Sequence, residues 1–392
     1  MRNHLLAALA ATAAVITAAT ISGPAWADPP ARPAEFDAVG GGSQFTEYLF
    51  DQFSHDYNHA HTAHDASHPH LYSFDAANPA TGAINEKIKP KFGCPLIVRP
   101  VNSSTAILEA GVAPQTRDKK YYCFSYAGSA RPRDGSDPAF APGGIAFVAL
   151  AGNAVTWATQ TTTDAPKTLT PQQLIKIFTC QDTNWRQVGG KNAPIKPVMP
   201  APAAAGSPDL LNFFTSALGN LTPGPCVNDD NDTLVENEGV NPVLDSPEAI
   251  VPYSVANYIA QKFHSASCSK TGCQPNDAPQ CTPSGSQNLF GCDTHGTLKL
   301  NSIDGVAPTV GTGASTAINQ KFPSTFDMTM FEVVPYDAST TDHIPGPEAS
   351  VRGGINLEQF FAANGWACKN SQAIKDLKDY GFVPLGTCGA TN

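Results

Sequence analysis

Thr168 to Val198 reads TLTPQQLIKIFTCQDTNWRQVGGKNAPIKPV. Thr170 stands where a helix N-cap belongs, and Pro171 takes the first helical position, where its missing N–H is no loss. Leu174, Ile175, Ile177 and Phe178 recur at helical spacing and make one inner face. Asp182 to Trp185 turns the chain, Gly189-Gly190 turns it again, and Ile195 to Met199 has strand character. A capped helix, two turns and a strand in so short a stretch predict an α/β fold.

The same order of elements repeats towards the N-terminus. Phe36 to Phe53, FDAVGGGSQFTEYLFDQF, runs through Gly40, Gly41 and Gly42 into a helix predicted to extend to about Tyr57. Ser43 is its expected N-cap, and Phe45, Tyr48, Leu49 and Phe53 its apolar face. Leu96 to Pro100 is an expected buried strand leading to Asn102-Ser103-Ser104 and a helix through Ala106 and Ile107. Tyr121 to Tyr126 is an expected strand ending in a loop with Ser129 and Arg131. Ile145 to Leu150 is another, and Ala154 to Thr159 continues extended. Three strand ends therefore carry small hydroxyl residues. Ligands of open α/β sheets gather at such ends, and helix N-termini offer free N–H groups to anions. The glycine turn alone reads as an ordinary connection; the convergence of three serine loops points to a site.

The flanks set the context. Residues 1–27 have a polar start, an apolar run from Leu5 to Ile21 and a small-x-small end at Ala25-Trp26-Ala27, the pattern of a secretory signal. The expected product is secreted and extracellular, with no lipid-anchor cysteine and no membrane span. Loss of Arg2 leaves 23 basic residues against 34 acidic ones, a net charge of −11. An acidic surface disfavours nucleic acid and anionic membranes as partners. Ten cysteines in an exported chain read as disulfides. Proximity favours Cys94–Cys123, Cys180–Cys226 and Cys368–Cys388, with Cys268, Cys273, Cys281 and Cys292 among themselves. A zinc cluster in these last four is the rival reading, and no CxxC supports it.

Six of the ten histidines, His55, His59, His61, His64, His68 and His70, crowd one segment, HDYNHAHTAHDASHPH. Imidazoles are good ligands for zinc, copper or nickel, so this segment is a candidate divalent-metal site; a polar insertion is the plain alternative. VNDDNDTLVENE, 227–238, lacks the spacing of an EF-hand and reads as a solvated turn. No GxSxG, HExxH or GxxxxGK[ST] occurs, His295 and His343 stand alone, and no enzyme is expected.

The order LTxxQLxxIF, TNW, VGG, IKPV in Thr170–Val198 resembles the phosphate-binding proteins of ABC phosphate transporters, especially their exported actinobacterial relatives with extra cysteines. Gly40 to Phe45, Asn102 to Ser104 and Tyr126 to Pro132 are similar to three of that family's phosphate loops. Glu236 to Gly239 and Ala249 to Gln261 are similar to its return crossover. The resemblance covers roughly residues 36–260. It departs from the family at the fourth loop: Ala201 to Phe214 keeps only Gly206 and Ser207, has no arginine and adds Asp209. It departs again at Ala130, where the family carries a proton-accepting aspartate.

The resemblance implies a bilobal, periplasmic-binding-protein-like type II α/β fold with two interlobe crossovers. Residues 28–147 plus 253–392 are expected in one lobe and 148–252 in the other. It implies non-catalytic capture of phosphate or a related oxyanion by a monomer, with an ABC permease as partner. Ser43, Gln44, Phe45, Ser103, Ser104 and Ser129 would be the ligand residues, and Arg131 the counter-charge. The reading of another class is an exported interaction or metal-sequestering protein that uses the His55–His70 cluster without phosphate.

Overall fold

The computed structural model describes residues 28–29, 31–76, 78, 86–111, 116–117, 120–139, 144–200, 209–228, 236, 239–263, 294–335 and 357–391. The signal-like run 1–27, Gly206 and Ser207, the cysteines 268–292 and His343 lie outside the described residues.

The first part of the chain forms β1 (Ala38–Gly42), α1 (Glu47–Ala60), β2 (Leu71–Phe74), β3 (Lys87–Ile88), β4 (Ile97–Val98), α2 (Ser103–Gly111) and β5 (Tyr126–Ser129). The long strand β6 (Ile145–Gln160) leads to β7 (Thr168–Leu169), α3 (Pro171–Phe178), β8 (Lys196–Pro197), α4 (Asp209–Ala217), β9 (Ala249–Ser254) and α5 (Val255–Phe263). Then come β10 (Leu298–Leu300), β11 (Ser302–Ile303), β12 (Thr309–Val310), β13 (Ala317–Ile318) and β14 (Asp327–Pro335). Short helices at Glu358–Phe361, Trp366–Lys369 and Ser371–Asp379 precede β15 (Val383–Pro384).

One mixed sheet in the order β2-β1-β5-β14-β6-β9-β8 organises these elements, with β10 and β15 also on β6. Its spine is β6. The sequence suggests two extended pieces here, yet they are one strand, buried almost throughout. A nearly continuous apolar run is what a strand covered on both faces requires. Its first part, 145–154, pairs with β14; residues 155–158 pair with β9, and 158–160 with β10. The chain thus crosses between halves in β6 and returns in β9, where Val155 faces Ser254. Asn153 ties the two crossovers: its Nδ2 donates to Ser254 Oγ at 3.1 Å, and its Oδ1 accepts the N–H of Ala256 at 3.1 Å. The bilobal α/β fold with two crossovers is the fold observed. Between 298 and 303 the chain pairs with the far end of β6 and with β7.

The Thr168–Val198 stretch folds as its punctuation demands. Thr170 and Gln173 make a reciprocal capping box on α3, worth about 1 kcal/mol. Leu174, Ile177 and Phe178 are buried, while Ile175 is half-buried. Asn184 caps a short 3₁₀ turn, and Gly189 closes it in the left-handed region at φ 93°. Trp185 is fully buried, its ring 6.4 Å from that of Trp157 and its Nε1 donating to Glu248 O at 3.2 Å. The pairings Cys94–Cys123, Cys180–Cys226 and Cys368–Cys388 are formed.

Three local expectations are corrected. Leu96 to Pro100 is not a buried strand: only Ile97–Val98 is extended, paired with β3 outside the main sheet, and Leu96 and Val98 are exposed. Ser43 does not cap α1, which begins at Glu47 after Thr46. Ser43 instead closes a tight turn, its carbonyl accepting the N–H of Thr46 at 3.0 Å. The third strand begins at Tyr126 instead of ending there. The segment before it is held by the Cys94–Cys123 bond, not by a ladder.

Candidate functional site

The glycine turn ending β1 is shaped by protein, not by open space. A Cβ on Gly40 would lie 2.4 Å from the Tyr126 ring. At Gly42, with φ 137°, it would lie 2.7 Å from both the Ala106 Cβ and Gly128 O. Close packing of β1 on β5 and α2 therefore demands these glycines. That packing brings Ser43 to the end of β5: the Ser43 N–H donates to Gly128 O at 3.3 Å.

Ser103, fully buried, opens α2 in the same place. Its hydroxyl accepts the N–H of Ala130 at 2.8 Å, which joins the second and third loops. Its own N–H and hydroxyl both donate to one acceptor, Asp209 Oδ2, at 3.1 and 2.7 Å. The Ser43 side chain also acts on this carboxylate, favouring its charged form. Asp209 is the first residue of α4, 106 positions along the chain. The convergent donors thus hold a carboxylate, and the carboxylate is the protein's own. It is 6 % exposed. Burial raises its pKa, against the lowering effect of Ser103 and Ser43.

Gln44 and Phe45 also lie at this junction in different roles. Gln44 Oε1 accepts the N–H of Glu236 at 3.0 Å, and Gln44 O accepts from Asn257 Nδ2 at 3.2 Å. Phe45 is a core side chain whose N–H reaches Ser43 Oγ at 3.3 Å. Ser104 is exposed and stands outside the cluster. The Ser129 hydroxyl is used within its own turn, donating to Arg131 O at 2.8 Å. The guanidinium of Arg131 forks onto Asp137, with two bonds of 2.7 Å. It is an already neutralised cation.

Two further acids bound the cluster. Glu236 Oε1 accepts the N–H of Leu210 at 2.8 Å, at the start of α4. Burial, then the neighbouring Asp209, hold Glu236 well above the usual carboxylate range. Glu332 on β14 pairs in register with Gly128 at the end of β5. It is fully buried, and both its carboxyl oxygens are without a hydrogen-bond partner among the described residues. Burial raises its pKa well above the ordinary value. A buried carboxyl without donors costs least when protonated.

The six histidines do not gather around a common point. His55 Nδ1 meets Asp56, and His64 Nε2 meets the buried Asp37 at 2.8 Å. His68 Nδ1 meets Asp65 at 3.1 Å, while His61 Nδ1 bonds Tyr57 O and His70 Nε2 bonds His61 O. His55, His59 and His70 do line one side of a cavity of about 300 Å³, with Asp51, Asn58 and Tyr72. No group of three or more His, Cys, Asp or Glu placed to hold a metal occurs among the described residues. His295 is half-buried against the Tyr258 ring, 4.5 Å away.

Sequence reasoning located Ser43 and Ser103 but not their partner. Asp209 is visible as an odd charge in a weakened loop, and nothing in a separation of 106 residues says that it fills the opposite wall. Glu332 lies in an apolar strand and carries no motif.

Residues 86–272 match the family model described as a PBP superfamily domain. Sequence comparison with curated proteins gives no match. Among solved structures, an ABC-type phosphate transport receptor from Vibrio cholerae is 14% identical, over 88% of this chain and 99% of that one, with a TM-score of 0.47. A phosphate-binding protein from Stenotrophomonas maltophilia is 13% identical, over 90% and 91%, with a TM-score of 0.44. PstS from Borrelia burgdorferi is 13% identical, over 88% and 98%, with a TM-score of 0.40. The match over 86–272, just under half of the chain, agrees with the mixed sheet and its two crossovers, and the fold is the bilobal α/β fold of periplasmic binding proteins.

Proposed function

We propose that this chain is an extracellular solute-binding protein that captures phosphate or a related oxyanion between its lobes, without catalysis. The carrying observation is the convergence of the Ser103 N–H and hydroxyl on a carboxylate where the Ser43 and Ser103 loops meet. A carboxylate is an oxyanion, and a buried helix start with two convergent donors suits any group of that class. The resemblance of the Gly40–Phe45, Asn102–Ser104 and Thr170–Val198 stretches to phosphate-binding proteins of ABC transporters supports phosphate as the member of that class. It also supports a permease as the downstream partner.

Export is supported by the signal-like N-terminus and by three formed disulfides, which persist in oxidising compartments. No helix among the described residues is long and apolar enough to cross a membrane. The metal-sequestering alternative has no comparable convergence behind it. Calorimetry with phosphate, sulfate and arsenate on the purified chain tests the proposal. Saturable binding of at least one is expected, and silence for all three overturns it.

A further inference from the structure

Asp209 is an unusual guest at the start of α2. An acidic residue in the first turn of a helix ordinarily serves that helix's own free N–H groups. On α4 that duty falls to Glu236, whose carboxylate takes the Leu210 N–H. The Asp209 carboxylate is thereby released to reach across and take the N–H and hydroxyl of Ser103. A second cross-lobe contact runs beside it, from the Glu236 N–H to Gln44 Oε1. These bonds join residues of the 148–252 half to residues of the 28–147 half, on either side of the crossovers at Asn153 and Ser254.

The local charge balance fits an occupied site. Arg131 is neutralised by Asp137, and the neighbouring acids Glu236 and Glu332 bring no positive charge. A dianion added beside Asp209 would meet a carboxylate in a poorly screened interior and would find the Ser103 donors taken. Ligand and Asp209 are thus alternatives for the same donors.

We propose that Asp209 is the built-in occupant of the cleft: its carboxylate latches the lobes in the ligand-free protein and competes with any incoming oxyanion for Ser103. The competition half rests on the reading of the cleft as an oxyanion site; the latch half rests on the geometry alone. An internal competitor lowers apparent affinity by the fraction of molecules in which it has let go. Its removal therefore raises affinity, whereas removing a merely structural hydrogen bond would only weaken the fold.

The test compares the wild-type chain with Asp209→Ala and with the near-isosteric Asp209→Asn, which carries the comparison if the alanine variant folds poorly. Ligand-free samples are followed by small-angle scattering and by hydrogen exchange at the Ser103 amide; phosphate affinity is then measured by calorimetry. The expected result is a larger radius of gyration, faster Ser103 exchange and phosphate binding about tenfold tighter in the alanine variant, with the asparagine variant between. Unchanged scattering and exchange in both variants overturn the latch. An opened variant that binds phosphate no tighter than a binding-competent wild type overturns the competition. An opened variant in a series that binds no oxyanion at all supports the latch, and overturns the competition together with the oxyanion reading.

Discussion

Two polar regions of this molecule invite a functional reading, and they behave in opposite ways. At the junction of β1, α2 and β5, side chains from distant parts of the chain meet on a single carboxylate. Between His55 and His70, five of six imidazoles close in sequence disperse to Asp37, Asp56, Asp65 and backbone carbonyls. Local density of good ligands did not make a ligand set, whereas sparse serines on separate elements made a convergent cluster. Convergence costs conformational entropy that a fold supplies through rigid elements; a loop has no such means.

The largest expected effect that breaks or upholds this contrast is at Ser103. Ser103→Ala removes a donor from the buried Asp209 and the acceptor of the Ala130 N–H. A loss of about 3 kcal/mol in urea unfolding is expected, since each unsatisfied buried group costs ~1–3 kcal/mol. A change below about 1 kcal/mol would mean the cluster is incidental.

A smaller effect comes from where the histidine segment is anchored. Gln372 Nε2 donates to Asp56 Oδ2 at 3.0 Å and to Asp376 Oδ1 at 2.8 Å. Burial, then the nearby Asp56, push Asp376 up to about 7 from an ordinary 3.8. A raised carboxyl means the native state holds a proton that the unfolded chain releases. Its contribution is full below about pH 4 and is lost as pH rises through about 7. Asp376→Asn should flatten that part of the stability profile in thermal melts across pH 4–8. An unaltered slope would place the titration elsewhere.

Within the histidine segment the effects shrink further. His64→Ala deprives the buried Asp37 of one partner, though Asp37 keeps the N–H groups of Ala34 and His70. About 1 kcal/mol is expected from equilibrium unfolding. His68→Ala touches only an exposed pair with Asp65 and should change stability by less than ~0.5 kcal/mol. Zinc titrated into either variant should give the same weak heats as wild type; a lost high-affinity zinc isotherm would restore the segment as a metal site.

Much of the fold was legible because its signals are local. The Thr170 cap, Pro171, the α3 face and the Gly189 turn each act within a few residues, and the structure uses each. Trp185 and Gly190, which carry much of the family resemblance, serve packing: Trp185 is buried, and a Cβ on Gly190 would meet Asp164 O at 2.5 Å. The cap of α1 was misread because Ser43 has a stronger competing role in a turn against β5. The candidate site was legible only in halves. Ser103 could be expected at a strand end, but Asp209 arrives through tertiary structure, and the buried acids Glu236 and Glu332 follow no spacing rule. Arg131 reads as a counter-charge, but its two terminal nitrogens fork onto Asp137, six residues on.

The central claim is that Asp209 and an external oxyanion share the Ser103 donors. Its most direct test is a phosphate titration followed at the backbone amide resonances of Ser103 and Ala130, in wild type and in Asp209→Ala. The account predicts saturable shifts at those two amides, reached at lower phosphate concentration in the variant. Shifts confined to the cavity lined by His55, His59 and His70, or none at Ser103 in either protein, would contradict it.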